Sequence, residues 1–149
     1  MEAIIFCGIQ ASGKSSFYLE RFFKTHIRIS LDLLRTRNRE NRFLSLCLET
    51  GQRFVVDNTN PTRSDREKYI HLAREKKFSV VGYYFPCKAE TAFMRNAGRQ
   101  GKERVPDLAI KGTLGRLERP VPDEGYDALF YVSVQDNQFV ISAWRDEKQ

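Results

Sequence analysis

The sequence predicts an α/β fold in three layers, α/β/α, in which helices cover both faces of a central, mostly parallel, five-stranded sheet. Short apolar runs that suit buried strands alternate with longer amphipathic runs that suit helices. The chain has 149 residues, of which 41% are hydrophobic and 30% charged. That length suits one domain with a buried core and is too short for two. We therefore expect a single domain over residues 1–149.

The elements follow one another in a regular order. Strands are expected near residues 3–7, 27–30, 53–57, 79–85 and 127–134, where β-branched and aromatic residues are frequent. Helices are expected over residues 14–24, 32–49, 63–77, 88–97 and 107–118. Gly51 marks the end of the second helix, Pro61 introduces the third, and Pro120 closes the last. Residues 138–144 could add an edge strand after a turn at Asp136 and Asn137.

Composition and charge limit the functional classes. No apolar stretch approaches the roughly 20 residues of a membrane helix, and the first residues lack the pattern of a signal peptide. Cys7, Cys47 and Cys87 have no Cys-x-x-Cys spacing, so neither a disulfide framework nor a zinc site is indicated. We expect a cytoplasmic protein without membrane contact. Its net charge of +6 favours anionic partners.

A complete phosphate-binding loop follows the first strand. The segment Gly-Ile-Gln-Ala-Ser-Gly-Lys-Ser fits the pattern G-x-x-x-x-G-K-[ST] between an apolar strand and a helix. In this context the backbone N–H groups at the helix start point at an anion. Lys14 reaches the β- and γ-phosphates and the Ser15 hydroxyl can ligate Mg²⁺. The less specific alternative is a glycine turn before a helix. We expect nucleotide contacts from Gly8, Gln10, Ala11, Ser12, Gly13, Lys14, Ser15 and Ser16.

An acidic residue ends the third strand. The run Arg-Phe-Val-Val-Asp has the form of a Walker B segment, so Asp57 would help Ser15 to hold Mg²⁺. Asn58, Thr59 and Asn60 then form a polar turn beside the phosphates and are expected to face the substrate. The alternative is that Asp57 and Asn58 only cap a turn, as Asx residues often do.

Asp32 lies just beyond the second strand, at the same edge of the predicted sheet. A carboxylate at that place can accept the proton of an acceptor hydroxyl during in-line transfer. Asp32 could equally serve only as a signal for the start of the following helix. Arg35, Arg39 and Arg42 have helical spacing and are expected to share one face, with apolar residues on the other side. This arrangement favours an acceptor that carries phosphate.

A basic, glycine-punctuated segment follows the fourth predicted helix. The cluster runs from Arg95 to Pro106, with the helix ending near Gly98, and is expected to form a short lid whose arginines neutralise phosphoryl oxygens. An exposed basic loop without a role is the alternative.

These pieces together resemble the kinase domain of polynucleotide 5′-kinases, within the wider group of P-loop kinases that includes zeta-toxin-like proteins. The resemblance rests on the phosphate loop, Ser-x-Asp-x-x-Arg at 30–35, Val-Asp-Asn-Thr-Asn at 56–60, Arg-Asn-x-x-Arg at 95–99, Val-Pro at 105–106 and Glu-Gly-Tyr at 124–126. It implies a P-loop NTPase fold and the cofactors ATP and Mg²⁺. It also implies that Asp32 is the general base on a 5′-hydroxyl, that Arg35 contacts the acceptor phosphate, and that Arg99 clamps the ATP phosphates.

Three functions remain open from the sequence. The first is an ATP-dependent kinase acting on the 5′-hydroxyl of DNA or RNA, with Lys14, Asp32 and Arg99 as catalytic residues. The second keeps this chemistry but uses a small metabolite, a nucleoside or an aminoacyl-tRNA, because the interval between Arg35 and Asp57 is short for the resemblance. The third is a nucleotide-binding regulator without transfer, which would need neither Asp32 nor a basic lid.

Overall fold

The computed structural model describes residues 1–145 and confirms the α/β class. One sheet contains six strands, which are β1 (Glu2–Cys7), β2 (Ile27–Ile29), β3 (Phe54–Val56), β4 (Ser79–Tyr84), β5 (Ala128–Gln135) and β6 (Gln138–Ala143). Their order in the sheet is β2-β3-β1-β4-β5-β6. The first five strands are parallel, and β6 pairs antiparallel with β5. The sheet therefore has six strands rather than the expected five.

The sixth strand exists because the turn before it closes tightly. Asp136 and Asn137 have φ angles of 52° and 59°. Two successive residues with positive φ match the twist of a two-residue hairpin, and Asp and Asn tolerate this conformation well. Residues 138–143 thus pair with β5 and form the edge strand that the sequence had suggested as a possibility.

Six α-helices connect and flank the strands. They are α1 (Lys14–Arg21), α2 (Leu31–Leu34), α3 (Arg37–Thr50), α4 (Arg63–Glu75), α5 (Ala89–Ala97) and α6 (Asp107–Arg116). Short 3₁₀ turns occupy Gly101–Glu103 and Pro122–Glu124. Among residues 1–145, no helix combines the length and the apolar character needed to cross a membrane.

The predicted helix over 32–49 is two helices, which corrects the expectation about its arginines. Arg35 has φ 75° and ends α2, while Thr36 caps α3 by accepting a hydrogen bond from the Arg39 backbone N–H at 3.1 Å. A threonine that caps a new helix competes with continuation of the old one. Arg35 therefore does not share a helical face with Arg39 and Arg42.

The core has a layer on each side of β1, as expected for a parallel strand with both faces covered. Ala3 and Ile5 pack with Phe54 in one cluster. Ile4 and Phe6 belong to the other. Since β2, β3 and β1 are neighbours, the loops at their carboxyl ends meet at one edge of the sheet. That edge holds Asp32, Asp57 and the phosphate loop.

Candidate active site

The loop between β1 and α1 adopts a strained, closely packed conformation. Gly13 has φ 102° and Ala11 has φ 62°, so both lie in the left-handed region. A Cβ on Gly8 would come within 2.8 Å of the Ser12 hydroxyl and 2.9 Å of the Phe85 Cβ. Glycine is the residue type that accepts both constraints without a clash. The predicted glycines therefore fix the path of the loop.

Lys14 lies inside this loop. Its ammonium donates hydrogen bonds to the carbonyl oxygens of Gly8 at 2.9 Å and Ile9 at 2.8 Å. Burial lowers the pKa of Lys14 to about 8, although the nearby carboxylate of Asp57 opposes that shift. A buried cation held by two carbonyls is well placed to bind an anion, because little solvent screens it.

The Ser12 side chain gives an independent sign that this loop suits a polar ligand. Its hydroxyl is buried and has no hydrogen-bond partner within residues 1–145. Buried polar atoms are nearly always hydrogen-bonded, so an unpartnered hydroxyl inside a phosphate loop fits a phosphate oxygen. Gln10 instead donates through its side-chain amide to the Thr113 hydroxyl at 3.0 Å, which ties the loop to α6.

Ser15 and Asp57, predicted as a metal pair, are in direct contact. The Ser15 hydroxyl donates to Asp57 Oδ2 at 3.0 Å, and the Asp57 side chain is only 2% exposed. A hydroxyl and a carboxylate oxygen are ligands that suit Mg²⁺, which takes its other ligands from phosphates and water. These residues therefore fit the expected ion.

Arg28 is a site residue that the sequence reasoning missed. Its Nε donates to Asp57 Oδ2 at 2.8 Å, and its Nη2 donates to the Ser15 hydroxyl at 3.1 Å. The signal was a single arginine between two isoleucines in β2, whose partner in β3 is Val55. Alternation along a strand places neighbouring residues on opposite faces, but alternation does not tell which carboxylate a charged residue will meet.

Asp32 lies in the short helix α2 and is exposed to solvent. Burial lowers the pKa of Lys14, and the negative charges of Asp57 and, to a smaller extent, Asp32 act in the opposite direction. Arg35 is also exposed, at the break that follows α2. The structure thus brings Asp32 near the phosphate loop and leaves Arg35 at the rim.

The three residues after Asp57 differ in their contacts, some of which use the side chain and some the backbone. Asn60 is buried, has φ 44°, and donates to the Phe6 carbonyl at 2.8 Å. The Thr59 carbonyl accepts the Gly8 backbone N–H at 3.0 Å. These two contacts join the turn to the phosphate loop, so the turn and the loop form one unit.

Asn58 connects the turn to α2 and α3. Its side-chain oxygen accepts the Leu31 N–H at 2.9 Å, and its amide donates to Glu40 at 2.8 Å. Glu40 is fully buried and also accepts hydrogen bonds from Arg37 at 3.0 Å and from Tyr69 at 3.0 Å. Nothing in the sequence around position 40 distinguished this glutamate from a solvent-exposed one.

A buried ion pair lies beneath the turn. Arg66, which is 0% exposed, donates to both carboxylate oxygens of Glu124, through Nε at 2.8 Å and Nη2 at 3.0 Å. Its Nη1 donates to the carbonyls of Asn60 and Pro61 at 2.9 and 3.1 Å. Arg66 therefore holds the turn from below.

The basic segment begins beside the phosphate loop. Arg95 donates to the Ala11 carbonyl at 3.1 Å. Arg99 donates to the Glu103 carbonyl at 3.2 Å, and its positive charge adds to the burial that lowers the pKa of Lys14. Arg95 thus contacts the phosphate loop directly, whereas Arg99 forms its hydrogen bond within the basic segment.

Asn96 closes the base of this segment. Its side chain donates to the Val105 carbonyl at 2.6 Å and accepts the Val105 N–H at 3.0 Å. Since Asn96 is buried, the two ends of the segment between it and Val105 are held together.

A cleft of about 330 Å³ opens beside the turn. Thr59 and the neighbouring residues 60–62 line one wall, and Leu31 and Asn58 also contribute. Arg37 and Arg116 supply positive charge to its lining. This cleft is large enough for a small anionic molecule or the end of a larger one.

Comparison with known proteins identifies the family and the fold. The AAA domain family matches residues 4–120. The chain is 25% identical over 129 residues to the bifunctional polynucleotide phosphatase/kinase of Schizosaccharomyces pombe. That match covers 84% of this chain and 32% of the relative, so the chain spans about a third of the relative's length.

Solved structures show the same fold at low identity. Kti12 of Chaetomium thermophilum, in complex with ADP-AlF3, has a TM-score of 0.65 and 16% identity, with 98% of this chain and 91% of that one covered. A gluconokinase from Sinorhizobium meliloti 1021 has a TM-score of 0.61 and 20% identity, with 89% and 82% covered. The chain belongs to the AAA domain family, and its fold is that of the P-loop kinases.

Proposed function

We propose that this protein is a Mg²⁺- and ATP-dependent kinase that transfers the γ-phosphate to the 5′-hydroxyl of DNA or RNA. The observation that supports this best is the meeting of three groups at the ends of neighbouring strands. The phosphate loop follows β1, Asp32 follows β2, and Asp57 follows β3. A phosphate donor and a solvent-accessible carboxylate base are the two things that hydroxyl phosphorylation requires.

Each residue has a distinct role in this proposal. Lys14 and the loop N–H groups bind the β- and γ-phosphates, and Ser15 and Asp57 hold the metal ion. A metal ion held there would supply positive charge that offsets the charge on the phosphate oxygens during transfer. Asp32 accepts the proton of the attacking hydroxyl. Arg99, with Arg95 beside it, neutralises the transferring phosphoryl oxygens.

Two facts favour a nucleic-acid acceptor. The S. pombe relative is a polynucleotide phosphatase/kinase, and the matched region covers 84% of this chain. The net charge of +6, with exposed Arg35, Arg39 and Arg42 near α2, suits a polyanionic strand. Under this proposal Arg35 contacts the acceptor phosphate from the rim, and Asn58, Thr59 and Asn60 form the wall of the acceptor site.

A second candidate is the same transfer to a small hydroxyl compound. It is favoured by the cleft of about 330 Å³, which is the size of a small-molecule site. The gluconokinase among the structural relatives shares the fold at 20% identity.

The test is transfer of labelled γ-phosphate from ATP to DNA and RNA oligonucleotides that carry a 5′-hydroxyl. We expect label at the 5′ end, a loss of about 10²- to 10⁴-fold in Asp32→Asn with ATP binding retained, and a loss of about 10³-fold in Arg99→Ala. Glu49→Gln, which changes an exposed glutamate near the end of α3 and close to the amino end of β3, at the opposite edge of the sheet, is the charge-matched control. ATP binding without labelling of any oligonucleotide would favour the small acceptor, and equal activity in Asp32→Asn would remove Asp32 as the base.

A further inference from the structure

Arg28 contacts both of the side chains that fit a metal ion. Its guanidinium donates to Asp57 Oδ2 and to the Ser15 hydroxyl, at 2.8 and 3.1 Å. The Ser15 hydroxyl in turn donates to the same Asp57 oxygen at 3.0 Å. The three side chains therefore form a closed triangle of hydrogen bonds with one negative and one positive charge.

The triangle occupies Asp57 Oδ2 and one of the two lone pairs of the Ser15 hydroxyl, which are oxygen sites that a metal ion would use. A serine hydroxyl has one donor and two acceptor lone pairs. The Ser15 hydroxyl donates a hydrogen bond to Asp57 and accepts one from Arg28. A divalent cation that approached these oxygens would also meet the guanidinium at close range, and like charges at such distances repel strongly when solvent is scarce.

Burial explains why Asp57 needs this cation. The Asp57 side chain is 2% exposed, and a buried carboxylate is costly unless it is paired. Lys14 is the other nearby cation, but its ammonium is occupied by the carbonyls of Gly8 and Ile9. Arg28 therefore supplies the ion pair that compensates the buried Asp57 carboxylate and holds it in place.

The Arg28 side chain can also move away from Asp57. Its side chain is 26% exposed, whereas that of Asp57 is almost fully enclosed. It belongs to β2, a strand of three residues at the edge of the sheet. A partly exposed arginine on an edge strand can turn its guanidinium to solvent without disturbing the core.

We infer that Arg28 is an internal competitor for the metal ion. It neutralises Asp57 while no metal is bound, and it is displaced when Mg²⁺ arrives with the nucleotide. The competition raises the Mg²⁺ concentration that the site requires, and it keeps the site closed to free divalent ions. This inference rests on the proposed use of Mg²⁺ with a nucleotide.

The first test uses the metal alone. Binding of Mn²⁺ to the nucleotide-free protein is followed by electron paramagnetic resonance in wild type and Arg28→Gln. Arg53→Gln is the matched control, because Arg53 is an exposed arginine just before β3, at the opposite end of the sheet. We expect Arg28→Gln to bind Mn²⁺ about tenfold more tightly than wild type, because a partly buried charged pair no longer has to break. Equal affinity in Arg28→Gln and Arg53→Gln overturns the inference.

The second test distinguishes an Arg28 that competes with Mg²⁺ from an Arg28 that binds the nucleotide phosphates. Binding of fluorescent ADP is titrated with Mg²⁺, starting from EDTA. We expect the half-saturating Mg²⁺ concentration to fall about tenfold in Arg28→Gln and to fall less in Arg28→Lys, which keeps the positive charge but lacks the planar fork of the guanidinium. A loss of ADP affinity at saturating Mg²⁺, with an unchanged half-saturating Mg²⁺ concentration, would instead make Arg28 a phosphate ligand. Failure of every variant to bind ADP contradicts the proposed function, while the Mn²⁺ measurement still decides the role of Arg28.

Discussion

The Asn58 side-chain oxygen accepts the backbone N–H of Leu31 at 2.9 Å, across 27 positions of sequence. Leu31 is the first residue of α2, the helix that carries Asp32. Asn58 also directly follows Asp57. One amide therefore sets the distance between the proposed base and the proposed metal ligand, and its own position is fixed by the buried Glu40.

Replacement of Asn58 by alanine should loosen α2 and remove a hydrogen-bond donor from Glu40. We expect the free energy of unfolding to fall by about 1–3 kcal/mol, because a buried carboxylate loses a partner. The rate of transfer should fall while ADP affinity stays near that of wild type. Urea denaturation and ADP titration measure the two effects. Asn38→Ala, on the exposed side of α3, should stay within about 0.5 kcal/mol of wild type.

Glu40 should make stability depend on acid pH. Burial by itself raises the pKa of Glu40, but hydrogen bonds from Asn58, Arg37, Tyr69 and Lys68 outweigh it and hold the pKa below its usual value. A carboxyl group whose pKa is lowered by folding stabilises the protein above the pKa of the unfolded chain, about 4.3, and loses that effect as the pH falls further.

The measurement is the free energy of unfolding of wild type and Glu40→Gln between pH 7 and pH 3. The difference should be largest at neutral pH and should narrow below about pH 4.3. Glu49→Gln, which changes an exposed glutamate on the same helix, should show no such narrowing. A constant difference across the range would mean that protonation of Glu40 is not linked to folding.

Two ion pairs join α4 to the 3₁₀ turn Pro122–Glu124, and they allow a comparison of a buried pair with an exposed pair at equal distance. Arg66–Glu124 and Arg63–Asp123 both have 2.8 Å contacts. The first pair is 0% and 2% exposed, the second 49% and 77%. Removal of one partner of the buried pair, as in Glu124→Gln, should cost about 3–5 kcal/mol.

The same removal in the exposed pair, Asp123→Asn, should cost less than about 1 kcal/mol. Thermal and urea unfolding of the two single variants give the comparison directly. Because Arg66 also binds the Asn60 and Pro61 carbonyls, Glu124→Gln should lower the transfer rate as well. Similar costs for the two pairs would contradict the role given to burial.

Lys14 should make nucleotide binding depend on alkaline pH. Burial lowers its pKa to about 8, so the nucleotide-free protein loses this positive charge as the pH rises through that value. Polyphosphate binding favours the charged form. ADP affinity should therefore fall above pH 8 by up to about tenfold for each pH unit, with uptake of a proton on binding.

Calorimetry of ADP binding between pH 7 and pH 9.5, in buffers of different ionisation enthalpy, measures both quantities. Lys14→Gln should bind ADP weakly with little dependence on pH in this range. Lys24→Gln, at an exposed position after α1, should keep the wild-type profile. Proton uptake that persists in Lys14→Gln would assign the titration to another group.

The sequence by itself determined the parts of this protein that depend on residues close together in the chain. The phosphate loop could be recognised because its glycines, lysine and serine lie within eight positions, and local sterics dictate one backbone path for them. The strands could be recognised because runs of β-branched and aromatic residues suit a buried parallel sheet. The parallel order then placed Asp32 and Asp57 at the same edge as the loop.

Only the tertiary structure decided which charged side chains meet. Arg28 reaches Asp57 across 29 positions and Arg66 reaches Glu124 across 58, and neither pairing has a local signal. The sequence also left open whether the helix breaks at Arg35. A helix that continues through this position and a new helix capped by Thr36 differ by only a small free energy. The hydrogen bond from the Leu31 N–H of α2 to Asn58 favours the break and the new helix. It thereby sets the position of Asp32.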